Sequence, residues 1–275
     1  MFECIDFDEH LASFVTEYMQ AHQKDYKNYD AMEADMPAIY VRFLNQPADW
    51  LDGLTPGSYF TQFEDPKDLV DWMIAYDQKG VAIPDLLLEQ IENVGKPCEK
   101  RLVAILKDEE MSDALKMTAI GVLRTMESTQ PKMLYIQWQM EREREDELAD
   151  NALESLADMG RAALQPSLEA LPKANEAGQE ALLDILANYP GNEQVFQLAQ
   201  RLFRANPDRR ALFAGYLGKL GDDRAMKDLM AAANDPELNY IDYLEIRNAI
   251  ERLGGTAPER TFEGDPTYEA LSGMQ

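Results

Sequence analysis

Hydrophobic positions in the last two thirds of the chain recur in blocks about 32 residues long. Each block has an anchor residue, and the anchors are Gly95, Glu127, Gly160, Gly191, Gly221 and Gly254. Apolar residues stand eight, four and one positions before each anchor, and after the first five anchors they recur four, eight and eleven positions on, except at Glu99. Spacings of this kind place side chains on one stripe of an α-helix. The pattern therefore predicts two helices per block.

The anchor marks the break between the two helices. A helix often ends on a residue with a left-handed backbone, which glycine adopts at little cost. Where Glu127 replaces glycine, Ser128, Thr129 and Pro131 provide turn-forming residues instead. We expect first helices at 81–94, 111–126, 147–159, 176–190, 208–220 and 237–253, and second helices at 95–107, 127–145, 160–173, 191–207 and 221–235.

Residues 1–80 do not follow the repeat. Three apolar stripes there predict helices, of which the last opens at Asp65-Pro66, so this segment is interpreted as a helical N-terminal cap on the repeats at 81–254. An aromatic loop containing Trp50 and Tyr59 lies between the second and third stripes. Its rings are expected either to cover the first repeat or to form a recognition loop. Residues 255–275 are expected to form a partly disordered C-terminal tail.

The stretch Y-L-G-K-L-G-D-D-R-A-M-K-D-L-M-A-A-A-N-D-P, from Tyr216 to Pro236, resembles a HEAT-like repeat of the phycobilisome-lyase type. Weaker copies stand at Leu156–Leu171 and Ile250–Gly255, and the resemblance covers roughly residues 82–254, departing from the pattern at 107–150. It implies an all-α fold, a right-handed α-solenoid of about five hairpins whose second helices line a concave face. Repeats of this type serve both as scaffolds and as lyases, so the resemblance indicates fold far more than function.

Charge narrows the range of partners. The chain carries 51 acidic against 26 basic side chains, a formal net charge of −25. Nucleic-acid binding is not expected, because such proteins gather lysine and arginine on one face.

No apolar run is long enough to span a membrane, and the N-terminus does not resemble a signal peptide. Two widely separated cysteines, Cys4 and Cys98, argue against a disulfide framework, so we expect a cytoplasmic protein. Oligomeric state is left open.

The sequence offers little catalytic chemistry. His10 and His22 lack the spacing of a zinc pair, and neither a phosphate-binding loop nor a nucleophile elbow is present. Cys98 follows Pro97 near a predicted helix start, so it is either a packing residue or a thiol activated by the helix dipole. The charged run Glu141–Glu147 is interpreted as a solvated helix surface. We predict no catalytic residue, metal ion or cofactor.

One basic cluster stands out from the acidic background: Arg201, Arg204, Arg209 and Arg210. These arginines either complement helix ends and a turn or form a docking point for a carboxylate or phosphate of a partner.

The predicted second helices are close to neutral together, whereas the first helices are acidic. The leading hypothesis is a non-enzymatic scaffold that binds a protein or peptide partner on its concave face, with these arginines, Trp50 and Tyr59 as binding residues. The alternative is a lyase or other enzyme built on HEAT-like repeats.

Overall fold

The computed structural model describes residues 2–272, and within that range the chain forms seventeen α-helices with short 3-10 turns and no β-strand. The prediction of an all-α fold is confirmed. The chain divides into two compact units, Met1–Pro131 and Lys132–Gln275, called unit 1 and unit 2 below.

Unit 1 contains eight of these helices. They are α1 Phe7–His22, α2 Tyr29–Glu33, α3 Met36–Asn45, α4 Pro56–Tyr59, α5 Pro66–Lys79, α6 Asp85–Val94, α7 Lys96–Lys107 and α8 Asp113–Thr125. Short 3-10 turns follow α1, α3 and α4. The α5 helix begins where the sequence predicts, because the Asp65 carboxylate accepts hydrogen bonds from the Lys67 and Asp68 amides and so caps its N-terminus.

Unit 2 contains the remaining nine helices of the described chain. They are α9 Lys132–Glu141, α10 Glu147–Asp158, α11 Arg161–Ala170, α12 Glu176–Leu186, α13 Glu193–Ala205, α14 Arg210–Leu220, α15 Met226–Ala233, α16 Tyr240–Arg252 and α17 Pro266–Ser272. Every predicted first and second helix has a counterpart, with shorter bounds at most positions. The largest difference is α9, which replaces the long helix expected at 127–145.

Within each unit, helices pack on close neighbours in the sequence. In unit 1, α5 contacts α6 and α7, and α6 contacts α7 and α8. In unit 2, α9 contacts α10, α11 and α12, while α10 also contacts α12 and α14 contacts both α13 and α16. Contacts of this kind between close neighbours in the sequence are typical of stacked helical hairpins, in which each hairpin buries its apolar stripe against the next.

All six anchors adopt a positive φ, between 52° and 97°. Five of these anchors are glycines, and the sixth, Glu127, has a φ of 52° although it carries a Cβ. The turn residues that follow Glu127 therefore do not replace the left-handed anchor, because the glutamate itself takes that conformation. A side chain in this region is strained relative to glycine by about 1–2 kcal/mol.

The apolar positions before each anchor form the core of the hairpins. Every residue eight or four positions before an anchor is at most 1% exposed. The first set is Leu87, Ala119, Ala152, Leu183, Phe213 and Ile246, and the second is Ile91, Leu123, Leu156, Ala187, Leu217 and Ile250. Glu99, the one polar residue of the predicted pattern, is also buried, and it accepts a hydrogen bond from the Gln130 side-chain amide.

Positions after the anchor follow two registers. Where the second helix starts directly after its glycine, as in α7 and α11, the residues three and seven positions on are buried, for example Ala163 and Ser167. Where the turn is longer, as in α13, the residues four and eight positions on are buried, for example Val195 and Ala199. Leu168 stands eight positions after Gly160 and so belongs to the predicted apolar stripe, but the expectation that it is buried was wrong, because the short turn shifts the buried positions of α11 by one residue and leaves Leu168 half-buried.

Residues 2–5 lie along α5 in unit 1. The Trp72 indole donates to the Glu3 carbonyl over 2.7 Å, and the Tyr76 hydroxyl exchanges hydrogen bonds with the backbone of Ile5.

In unit 2, part of the predicted C-terminal tail is packed. Phe262 is buried, and Arg260 donates to the carbonyls of Ala233 and Asp235. Residues 273–275 of that tail lie outside the described residues.

Candidate functional site

The four arginines of the predicted docking cluster each contact a different side chain. Arg201 and Arg204 lie on α13, Arg209 precedes α14, and Arg210 is its first residue. Three of them pair with a carboxylate of a neighbouring helix or its C-terminal turn. The partners are Gln179 for Arg201 at 2.9 Å, Asp228 for Arg204 at 2.7 Å, Glu180 for Arg209 and Asp235 for Arg210 at 2.8 Å.

These contacts point the arginines in different directions. Arg204 and Arg210 reach toward α15 and its C-terminal turn, whereas Arg209 reaches toward α12. Arg201 lines an opening of about 350 Å³ together with Leu198 and Gln197 of the same helix. The structure therefore does not bring the four guanidinium groups together at one docking point. A binding role for them stays a prediction, and Arg209 is the one that lines the cleft described next.

A cleft of about 260 Å³ lies on α10, α12 and α14 in unit 2. We call it the first-helix cleft, because it crosses three successive first helices. Its apolar walls are formed by Leu153, Ala177, Ala181, Leu212 and the ring of Tyr216. Three guanidinium groups and three carboxylates also line it: Arg142, Arg144 and Arg209, and Asp150, Glu180 and Asp184.

Glu180 is the most unusual of the charged residues in the cleft. It is only 8% exposed. One carboxylate oxygen, Oε2, accepts a hydrogen bond from Arg209 and lies 3.7 Å from Nη1 of Arg144. The other oxygen, Oε1, is itself enclosed and accepts no hydrogen bond from the residues that the structure describes. A buried carboxylate oxygen without a donor is costly, so its presence at the lining of a cleft is a functional signal.

Arg142 lines the cleft, but its side chain is held by neighbouring residues of the protein. Its guanidinium group is buried and donates to Asp150 and to the side-chain oxygen of Gln139, itself fully buried. Gln139 in turn donates to the Ala149 carbonyl over 2.8 Å. The interpretation of Glu141–Glu147 as a solvated helix surface was wrong at Arg142 and in expecting a helix at residues 142–146, whereas the other charged side chains of the run are exposed or half-buried. Residues 142–146 connect α9 to α10, and Arg142 is the centre of a buried polar network.

Close backbone contact fixes α12 beside this network. The Asn175 amide donates to the Met140 carbonyl over 2.9 Å, and its side chain donates to the Arg142 carbonyl and caps α12. Gly178 lies so close to α9 that a Cβ added there would overlap the Gln139 carbonyl oxygen. This contact requires glycine, and it sets the position of Glu180 two residues later.

Tyr216 forms the wall of the cleft on α14. Burial, together with the nearby Asp184 carboxylate, raises the pKa of its hydroxyl well above the ordinary value. The hydroxyl is therefore neutral at physiological pH. Lys219 lies over the Tyr216 ring, and its ammonium nitrogen is 3.9 Å from Asp184. On this side of the cleft, a neutral aromatic ring thus lies next to the ion pair of Lys219 and Asp184.

Trp50 and Tyr59 occupy different environments in unit 1. Trp50 is half-buried, stacks on His10 with ring centroids 3.9 Å apart, and lines a cleft of about 380 Å³ next to α1. Tyr59 packs against Phe7, Phe60 and Trp72 within the aromatic cluster of the unit. These three ring partners of Tyr59 all lie within residues 1–80, whereas Trp50 lines an open groove. Their role in binding stays a prediction.

Cys98 is a packing residue. Its side chain is fully buried, and burial raises the pKa of the thiol to about 11. The activated-thiol alternative is therefore wrong, because desolvation outweighs any stabilisation of the thiolate by the start of α7.

Sequence reasoning missed Glu180 because the chain has 51 acidic residues, which gives any one of them little weight. A signal was present nevertheless. Glu180 stands three positions before Leu183 and seven before Ala187, so it continues the apolar stripe of α12 toward the N-terminus. A charged residue in line with a buried stripe is a candidate for function, as a buried charge needs a specific partner.

Comparisons with protein-family models, with curated proteins and with solved structures find no match for this chain. Among the described residues, no helix combines the length and the apolar character needed to cross a bilayer.

Proposed function

We propose that this chain is a non-enzymatic scaffold that binds a protein or peptide partner through one face of HEAT-like repeats. In this proposal residues 81–254 form a solenoid of about five hairpins, and residues 1–80 cap its first hairpin. Support comes from the left-handed backbone at all six anchors and from the neighbour-to-neighbour packing of helices within each unit.

The observation that carries the proposal is the first-helix cleft. Three successive first helices contribute to one opening, and its rim includes Leu212, a large apolar side chain that is 40% exposed. A large, exposed apolar side chain beside a pocket is a candidate anchor for a protein partner. The resemblance to HEAT-like repeats implies recognition by second helices instead, and the opening at Arg201 is the corresponding alternative location.

The acidic charge of the chain supports a protein partner. A net charge of −25 repels nucleic-acid phosphates and attracts basic protein segments over distances of roughly a Debye length, about 8 Å at physiological salt. We expect the scaffold to work in the cytoplasm, where unpaired thiols such as Cys4 and Cys98 are kept reduced.

Site-specific photo-crosslinking tests the proposed face. A photoreactive amino acid replaces Leu212 in the cleft in one variant and Ile241 on α16 in the control, since Ile241 is 48% exposed and also lies on a first helix of unit 2. In cells that express the full chain, we expect the Leu212 position to give a discrete protein adduct that the Ile241 position does not give. The adduct is identified by mass spectrometry, and binding is then measured with both purified proteins.

The proposal fails if both positions crosslink the same proteins equally, or if the purified protein from the adduct does not bind the unmodified chain. An adduct from a photoreactive residue at Gln194 or Gln197, but not at Leu212, would move the recognition face to the second helices.

A further inference from the structure

The unpartnered oxygen of Glu180 specifies what the first-helix cleft receives. Glu180 is more than nine-tenths buried, its Oε2 is bound by Arg209, and its Oε1 has no donor among the described residues. A carboxylate oxygen in this position needs an N–H or O–H group, and a charged donor stabilises it most. Oε1 is itself enclosed in this structure, so a ligand donor reaches it only once a neighbouring side chain turns away, and the donor would then satisfy an acceptor that the fold leaves without a partner.

The surrounding walls restrict the shape of that ligand. The cleft is about 260 Å³, slightly smaller than the ~300–1,000 Å³ of typical small-molecule pockets. Ala177, Ala181, Leu153 and Leu212 provide an apolar surface beside the carboxylate. This combination suits one long side chain with an aliphatic stem and a cationic end, because the stem packs on the walls while the end reaches the carboxylate.

We infer that the first-helix cleft binds an arginine side chain of the partner, with its guanidinium group donating to Oε1 of Glu180 and to Asp184. The inference rests on the proposed function for the source of that side chain. Arginine fits better than lysine because its planar fork can bond two carboxylates at once. The net charge of −25 favours the approach of a basic segment.

The arginines of the protein itself are compatible with this ligand. Arg142 is buried and bound to Asp150, and Arg209 is bound to the other oxygen of Glu180 and lies over the Phe213 ring. Arg144 is 57% exposed, and its nitrogens lie 3.6 Å from Glu176 and 3.7 Å from Glu180. Those distances exceed an ordinary charge-assisted hydrogen bond, so Arg144 can turn toward solvent when a second guanidinium group enters.

The test uses the full chain and a short probe, the blocked peptide Gly-Gly-Arg-Gly-Gly, in an NMR titration. We expect saturable shifts at the amides of α12 and α14 near the cleft. A matched peptide with citrulline, the neutral isostere of arginine, should bind at least about tenfold more weakly, because charge-assisted hydrogen bonds are the stronger ones. Glu180→Gln should weaken binding of the arginine peptide by a similar factor, whereas Glu169→Gln, at an exposed carboxylate of α11, should leave it unchanged.

Two further variants keep the test decisive if Glu180→Gln fails to fold. Ala177→Leu fills the apolar wall without altering charge and should also weaken binding. Arg144→Gln removes a competing cation and should tighten binding about threefold. The inference is overturned if citrulline and arginine peptides bind equally, if neither Glu180→Gln nor Ala177→Leu weakens binding, or if Arg144→Gln weakens it, since that last result would show that Arg144 supports the bound peptide instead of competing with it.

These outcomes separate the inference from the proposed function. A partner that crosslinks at Leu212 but binds independently of its arginines would leave the scaffold function standing and refute the arginine pocket. Binding of the arginine peptide that depends on Glu180, with no partner adduct at Leu212, Gln194 or Gln197, would support the pocket and refute the scaffold function.

Discussion

The first helix of the chain and the repeat helices use similar apolar stripes with different results. In α1, Leu11, Phe14, Val15, Tyr18 and Met19 form one stripe, yet each is only half-buried and Phe7 is the one buried residue of the helix. In α12, an 11-residue helix, six residues are buried, including Leu182, Leu183, Ile185 and Leu186. An apolar stripe therefore predicts a helix, while the number of neighbouring elements determines how much of the stripe is buried.

The neighbours of the two helices explain this difference. The α1 helix packs mainly on α3, whereas α12 packs on α9, α10, α11 and α13. Repetition supplies neighbours on several sides of each helix, and residues 7–45 lack it. We expect stability to be concentrated in the repeats and local opening to occur first at α1, because local stability follows the density of buried apolar contacts.

The largest expected effect concerns the backbone contact in the repeats. Gly178→Ala should destabilise the protein by about 3 kcal/mol or more, because its Cβ would overlap the Gln139 carbonyl and push α12 away from α9. Gly57→Ala on α4 should cost less, since its Cβ would lie 2.9 Å from the Leu44 carbonyl oxygen and therefore requires a smaller displacement of the backbone. Urea unfolding measures both free energies.

Gly215→Ala on α14 is the control for these variants. A Cβ there meets no atom within 4 Å, so the substitution should be neutral or should stabilise the helix by up to ~1 kcal/mol. Equal losses for Gly178→Ala and Gly215→Ala would show that the contact with α9 does not matter.

The second prediction compares the cores directly. Leu217→Ala removes a fully buried side chain of α14 and should lower the free energy of unfolding by roughly 2–5 kcal/mol. Leu11→Ala removes a half-buried side chain of α1 and should cost about 1 kcal/mol, because water already reaches part of that leucine. The comparison between the two regions breaks down if chemical denaturation gives a larger loss for Leu11→Ala.

The third prediction concerns the anchor without glycine. Glu127→Gly should stabilise the protein by up to about 1 kcal/mol, because glycine adopts the φ of 52° without steric strain. Met126→Gly is the control, since Met126 has a negative φ and gains nothing from glycine. A thermal melt in which Glu127→Gly lowers Tm would show that the glutamate side chain contributes an interaction that outweighs its strain.

The anchors and the apolar positions before them, called the repeat frame below, could be predicted because their signals are local in the sequence. The residues eight and four positions before each anchor lie on one helix or at its C-terminal cap, and the anchor follows within a few residues, so a fixed spacing is sufficient to identify them. The side of a second helix that becomes buried was harder to predict, as in α11, because one residue more or less in the turn rotates the whole helix. Such a change in turn length leaves only a small trace in the sequence.

The candidate cleft could not be predicted for a different reason. It joins residues from the segment after α9 and from α10, α12 and α14, and the pairing of Arg142 with Asp150 and of Glu180 with Arg209 depends on how these helices stack. Arg209 was identified as a binding candidate from local charge density alone. Its carboxylate partner, 29 positions earlier in the sequence, becomes a neighbour only after folding.

The central claim is that the repeats separate stability from recognition, with frame residues forming the core and residues outside the frame forming the cleft. The most direct test compares two variants of α12 for both properties. Leu183→Ala, at a fully buried frame position, should lower the free energy of unfolding by roughly 2–5 kcal/mol while leaving the affinity for the arginine peptide within about twofold. Glu180→Gln should weaken that affinity at least about tenfold with a smaller loss of stability. If each variant reduces stability and binding to the same extent, the two roles are not separate and the claim is contradicted.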